Sequence, residues 1–331
     1  MLAFKHLIAN KLPYNNIKVN MSNVIISDFD ETITKNDTIG VLAKIGLITN
    51  PNPDDEHKWS HFIDHYMEGW KKYHAKAPSR QLPLLKCFDK KTITNKNYTT
   101  ALDAEFKYQE YLKIIELYSI SELTDKSYFF NTKNFIPNFA KECLGNGSIK
   151  FRKGFKNMLN CINSTSSAFY VVSVNWSTEF ILSILDDDDN IDESNVFCNA
   201  LNIYDGEYDG SFSKQVVTGS DKINSIETII SLENQTEGDY HFWYIGDSET
   251  DLLSILHPNV NGVLLLDPEE NEKKFHKLTK DILGVSQTSI NKYLREDISI
   301  LKLSEKKAHH NNLYLAKSWD AISKVIYGDN K

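Results

Sequence analysis

Asp28 and Asp30 close the apolar run of "VIISDFDETIT" (24–34) with one phenylalanine between them. Two like charges at the end of a buried segment repel, so either a surface turn tolerates them or something positive lies between them. Three further segments end in polar residues of the same kind. Ser173 closes "FYVVS", Lys222 opens a helical stretch in "TGSDKINSI", and Asp247 lies in "YIGDSETD" with Asp251 four residues on. If these segments meet, the four carboxylates cannot all stay ionised without a compensating cation. An all-oxygen set with few protein ligands suits Mg²⁺, which keeps several waters and is usually completed by a substrate phosphate. A lysine, a serine hydroxyl and loop N–H groups would hold phosphoryl oxygens, and a central aspartate could attack phosphorus.

The elements that must position these residues are short apolar runs. They are "NVIIS" (23–27), "AFYVVSV" (168–174), "NVFCNAL" (195–201), "HFWYIG" (241–246), "GVLLL" (262–266) and "LYLA" (313–316). Runs without polar alternation belong to strands covered on both faces, the pattern of a parallel sheet between helices. Helices are expected at 178–185 and 248–256, with Ser177 and Ser248 as caps. The expected fold is α/β, a doubly wound, Rossmann-like parallel sheet. From Thr38 to about Lys150 the spacing is helical throughout, which reads as an all-helical cap inserted after the first strand. The expected division is an extension (1–21), an α/β core (22–37 and 150–331) and a helical cap (38–149). In such sheets ligands bind beyond the carboxyl ends of the strands where the winding reverses, and there the six residues could meet.

Taken together, "DFDETIT", "VVSVN", "SDK" and "GDSETD" resemble the four motifs of the haloacid dehalogenase (HAD) phosphohydrolase superfamily, over roughly 23–326. The helical insert after the first motif is similar to that of its phosphoserine-phosphatase-like branch. The resemblance implies that Asp28 is a nucleophile forming an aspartyl phosphate and that Asp30 is general acid, then base. It places Ser173 and Lys222 on the phosphate, with Thr32 and Asn175 as further phosphate-binding candidates. Asp28, Asp30, Asp247 and Asp251 are the expected Mg²⁺ set. "SDFDETITKNDTIGVLAKIG", "HYMEGWKKYH" and "YIGDSETDLLSIL" are also similar to the phosphatase half of plant bifunctional thiaminase and thiamin monophosphate phosphatases. The thiaminase half has no place in this chain. The implied function is Mg²⁺-dependent hydrolysis of a small phosphomonoester, with thiamin monophosphate as the candidate. Phosphoserine, phosphocholine and phosphoethanolamine are the competing substrates. A non-catalytic regulatory or binding protein on the same fold is the alternative class.

Other features have plainer readings. Trp59, Tyr66, Trp70 and Tyr73 are cap residues for helix packing or for a substrate's ring face. His57, His61 and His65 share one helical face, but no acidic or cysteine ligand is tied to them, so they read as cap surface rather than a zinc site. Asp37 reads as a helix cap, and "DDDD" (186–189) as a solvated loop rather than a calcium site. A net charge of −8, with no basic block, disfavours a nucleic-acid partner. No apolar stretch approaches membrane-spanning length. The four scattered cysteines read as reduced thiols in a cytoplasmic protein. Residues 1–20 carry basic but no acidic residues, and read as an extension that is dispensable, with mitochondrial targeting as the alternative. Oligomeric state is not legible.

Overall fold

A computed structural model describes residues 22–84, 95–165, 167–185, 191–235, 238–306 and 311–328. The N-terminal extension and the acidic run 186–189 lie outside the described residues.

The expected strands form one seven-stranded sheet. Its members in chain order are β1 (Ser22–Ser27), β2 (Ala168–Val172), β3 (Val196–Phe197), β6 (Tyr240–Gly246), β7 (Asn261–Leu265), β8 (Ile300–Lys306) and β9 (Asn311–Ala316). The spatial order is β3-β2-β1-β6-β7-β9-β8. All neighbours are parallel except β8, which runs antiparallel along the β9 edge. The winding reverses between β1 and β6, where Ile26 lies opposite Tyr244 and Ser27 opposite Ile245. Both of those strands end in aspartates, so the topology sets Asp28 and Asp247 side by side.

One expectation is corrected. The run 195–201 is not a single strand: it breaks after β3, and β4 (Ala200–Tyr204) turns away to pair with β5 (Glu207–Ser213) in a separate hairpin. Asn199 forces the break. Its side-chain amide donates to the carbonyls of Val174, Asn175 and Val216, and its Oδ1 accepts from the amides of Gln215 and Val216. A side chain tied to two other loops holds the backbone out of the ladder. The edge strand β8 carries no long apolar run, which hides it in the sequence.

The inserted segment supplies the short helices α1 (Ile39–Leu42) and α2 (Gly46–Thr49). It also supplies the long α3 (Trp59–Tyr73) and α4 (Asn95–Asp125), which pack on each other, and then α5 (Ile136–Gly145). The core helices are α6 (Phe155–Thr165), α7 (Thr178–Leu185), α8 (Gly219–Glu233), α9 (Leu252–Ile255), α10 (Glu272–His276), α11 (Gln287–Tyr293) and α12 (Trp319–Tyr327). The insert is not a separate body. One apolar cluster joins Phe62, Ile120 and Phe129 of the insert to Ile25, Val171 and Phe180 of the core. Such continuous burial is the dominant favourable term in holding the two together.

Polar contacts lock the same junction. Arg80 makes a two-pronged pair with the buried Glu105 (2.7 and 3.0 Å) and reaches Glu249 at 2.6 Å. Lys113 of α4 pairs with Asp221 at 2.7 Å, and Ser220 donates to Glu110 at 2.8 Å. Glu249 and Asp221 belong to the "GDSETD" and "SDK" segments, so α4 is bolted onto two of the loops that carry the candidate site.

Candidate active site

Each site residue is held by its own local element. Phe29 O accepts from the amides of Thr32, Ile33 and Thr34, coiling the chain just after β1. Glu31 sits in the left-handed region (φ 55°), a conformation a non-glycine residue adopts at a cost and one that collects at functional turns. Lys222 lies in the first turn of α8, where Asp221 reaches back to the amides of Val217 and Thr218 at 2.9 and 3.1 Å. Asp251 likewise reaches back to the amides of Ser248 and Asp247, at 2.9 and 3.1 Å. Gly246 permits that approach, since a Cβ there would stand 2.3 Å from the Asp251 carboxyl carbon. Ser177 caps α7 as expected, its Oγ accepting from Phe180 N at 3.1 Å.

The tertiary fold brings Asp28, Asp247 and Asp251 together, all buried, with one ligand atom of each within 4.8 Å of the others. Lys222, wholly buried, lies 2.8 Å from Asp28 Oδ1 and 2.7 Å from Asp251 Oδ1. The approach to Asp28 is off the hydrogen-bonding direction, and Asp28 Oδ1 is left with an ionic neighbour but no hydrogen-bond donor. Burial lifts the Asp28 carboxyl well above the usual range against the pull of Lys222, with Asp251 and Asp247 adding repulsion. Burial acts on Asp251 too, but Lys222 and the hydrogen bonds from Lys222, Tyr244 and Ser248 outweigh it and hold that carboxyl below its ordinary value. Burial also pushes Asp247 up to about 6, against the attraction of Lys274.

The Asp30 carboxylate stands apart from this cluster of side chains. Its Oδ1 accepts from Thr38 N and Oγ1 at 2.7 and 2.6 Å, and its Oδ2 from Asn175 Nδ2 at 2.8 Å. Burial, with the nearby charge of Asp37 adding to it, raises this carboxyl to about 6. Asn175 and Thr32, the further phosphate-binding candidates, each donate to a carboxylate. Asn175 spends its amide on Asp30 and Thr38, and Thr32 Oγ1 donates to Asp247 at 3.0 Å. Ser173 is buried beside them, its Oγ accepting from Asn175 N at 3.2 Å.

Several contributors were not legible. Lys274 of α10 bridges Asp247 and, at 2.8 Å, Glu31. Tyr244 donates to Asp251 at 2.7 Å, and Thr38 holds Asp30. Lys274 sits in "EKKFHK", which has the look of any solvated helix, and Tyr244 is masked by an apolar strand. Thr38 alone had a signal, lying eight residues after Asp30 where the insert begins.

In the insert, Trp59 and Tyr66 line a cavity of about 260 Å³ that also touches Val174, Trp176 and Asn199. Tyr66 and Trp70 line a neighbouring groove. Tyr73 faces neither, its ring set against Tyr118 at 5.7 Å. His57 pairs with Asp54, His61 with Glu122, and His65 stacks on Tyr118. Asp37 accepts from Ile39 N at 2.7 Å, as a helix-starting carboxylate does. Cys143, Cys161 and Cys198 are buried thiols outside any disulfide. No described helix is long and apolar enough to cross a membrane.

A doubly wound sheet that gathers these four motif segments at its switch point defines a HAD-like α/β protein. No family model matches the chain. Cold tolerance protein 1 of Saccharomyces cerevisiae is 38% identical over 317 residues, covering 92% of this chain and 98% of that protein. The chain belongs to the same family, the CTO1 family. A CTO1 family protein of Schizosaccharomyces pombe is 24% identical over 325 residues, covering 91% of this chain and 98% of its own. Among solved structures, substrate-bound phosphoserine phosphatase is similar over 76% of this chain and 90% of its own, at 15% identity and a TM-score of 0.41. Cytosolic 5′-nucleotidase IIIB bound to cytidine is similar over 79% of each chain, at 16% identity and a TM-score of 0.38.

Proposed function

We propose that this protein is a Mg²⁺-dependent phosphatase of small phosphomonoesters that works through an aspartyl phosphate on Asp28. The observation that carries the reading is the separation of two aspartates two residues apart in the chain, Asp28 buried and Asp30 half-buried. Asp28 has an oxygen free of hydrogen bonds and faces Lys222 and Asp247, while Asp30 is held elsewhere by Thr38 and Asn175. A turn that only needed two polar residues would not give them different partners.

The carboxylates fit a hard divalent cation. Asp28 and Asp247 keep unused oxygen lone pairs, whereas both Asp251 oxygens are taken by Lys222, Tyr244, Ser248 and the Asp247 amide. Asp28 and Asp247 would therefore hold Mg²⁺, which when bound supplies charge neutralisation at the phosphoryl oxygens. The buried Lys222 ammonium and Ser173 hydroxyl would orient the same oxygens. Asp28 Oδ1 attacks phosphorus as the ester P–O bond breaks, and Asp30 gives its proton to the departing alkoxide. Asp30 then takes a proton from water, whose oxygen attacks phosphorus. The Asp28–phosphorus bond breaks, releasing phosphate and restoring both carboxyl groups. An Asp30 carboxyl raised to about 6 suits a group that must carry the proton in one step and lack it in the next.

Hydrolysis of an aryl phosphate with and without Mg²⁺ tests the reading, and no turnover under either condition would leave a binding role on this fold. Asp30→Asn is expected to lower kcat by about 10²–10⁴-fold for alkyl esters and by less for aryl esters with good leaving groups. Single-turnover rates on the two ester types check this, and equal losses would remove the general-acid role. A metal at Asp247 must share it with Lys274, so Lys274→Ala is expected to tighten Mg²⁺ binding by relieving like-charge repulsion. Thermal-shift titration with Mg²⁺ alone reads this without turnover, and an unchanged or weaker midpoint would count against it.

For the substrate, thiamin monophosphate remains our candidate, ahead of phosphoserine, with phosphocholine and phosphoethanolamine as competitors. Phosphoserine calls for a cationic group to meet its carboxylate. Arg80, the one arginine of 38–149, is already committed to Glu105 and Glu249.

A further inference from the structure

The cavity between α3, α4 and the loop after β2 has a wall that motif reasoning does not reach. Trp59 and Trp176 lie with ring centres 6.0 Å apart, and Tyr66 joins them. Two carboxylates, Glu116 and Asp37, complete the lining, and no described lining residue is Lys, Arg or His. Hydrogen bonds through one intervening residue link its wall to Asp30. Asn199 in its wall donates to the Asn175 carbonyl at 3.1 Å, and Asn175 donates to Asp30 at 2.8 Å.

Glu116 is the unusual member. It projects from the middle of α4 among apolar residues, and the hydrogen bond recorded for its side chain is one from Tyr66 Oη at 3.1 Å. The nearest basic residue on its own helix, Lys113, is engaged with Glu110 and Asp221. Burial pushes the Glu116 carboxyl up to about 7. A carboxyl held without a cation among aromatic faces is costly unless a ligand brings the cation.

Resting on the phosphatase reading, we infer that this cavity receives the alcohol half of the substrate and that Glu116 is the residue making it select an organic cation. Trp59, Trp176 and Tyr66 offer ring faces to the apolar body of that cation, and Glu116 answers its charge. Asp37, also in the lining, adds a second carboxylate, and both oppose a leaving group that carries a carboxylate.

Calorimetric binding of free alcohols to the full chain tests this without turnover. Choline is expected to bind at least about tenfold more tightly at pH 8 than its neutral carbon isostere 3,3-dimethylbutan-1-ol, and serine not measurably. Because the cation favours ionised Glu116, choline affinity is expected to rise as pH passes through 7. The other titratable groups of the lining are Tyr66, which donates to Glu116, and Asp37, whose carboxyl burial also raises. In Glu116→Gln the preference over the isostere should fall at least about fivefold and the pH dependence should flatten. Equal binding of choline and its isostere by the wild-type protein overturns the inference whether or not the variant folds, as does a Glu116→Gln variant that keeps the full preference. If the protein binds choline selectively yet hydrolyses no phosphate ester, the phosphatase reading fails and the cation site stands. If it hydrolyses esters of anionic alcohols best, the cation site fails and the phosphatase reading stands.

Discussion

Asp28→Asn is expected to abolish phosphomonoester turnover, by about 10⁴-fold or more, while leaving the protein folded and at least as stable as the wild type. An amide has the shape of the carboxylate but is too poor a nucleophile to attack phosphorus. The stability half follows from burial. Asp28 sits at the carboxyl end of a central strand beside Asp247 and Asp251, and its carboxyl is raised well above the usual range because desolvation and repulsion exceed the attraction of Lys222. A neutral side chain removes that penalty, and Lys222 keeps Asp251 as its partner at 2.7 Å. Steady-state rates and thermal melting in metal-free buffer measure the two halves. Acid-quenched protein should carry labelled phosphate in the wild type and none in the variant. Retained turnover would remove Asp28 as nucleophile, and a large fall in melting temperature would show that its charge is structural.

Lys222→Met should have the largest effect on stability. The ammonium is wholly buried between two buried carboxylates, and its pKa is held above the ordinary lysine value because the attraction of Asp251 and Asp28 outweighs desolvation. Removing one member of a buried ion network strands the others, at about 3–5 kcal/mol. Methionine preserves the volume, so the loss reports charge rather than a cavity. Urea unfolding of the two proteins without metal checks this. A second variant, Lys222→Met with Asp251→Asn, should recover part of the loss because one stranded charge is gone. No destabilisation in the single variant would mean that Asp28 and Asp251 simply take up protons.

The two variants divide the site along the line between local and tertiary information. The amino-acid sequence by itself determined the parallel strands, because both-face burial leaves an unbroken apolar run wherever it occurs. It also placed Asp28 and Asp247 at strand ends, and Lys222 and Asp251 in the first turns of helices, since caps and turns are written within a few residues; the sheet order made those two strands neighbours. It could not assign partners. Asn175 reaches Asp30 across 145 positions and Lys274 reaches Glu31 across 243, and neither carries a local pattern. Packing fixed which oxygen each side chain reaches: Asn175 the Asp30 carboxylate and Thr32 that of Asp247. The break at Asn199 has the same origin, in one side chain whose hydrogen bonds lie on two different loops. Only the tertiary structure set Glu116 opposite Trp59 and Trp176, because a cavity is made by elements that are distant in the chain and has no spacing of its own to read.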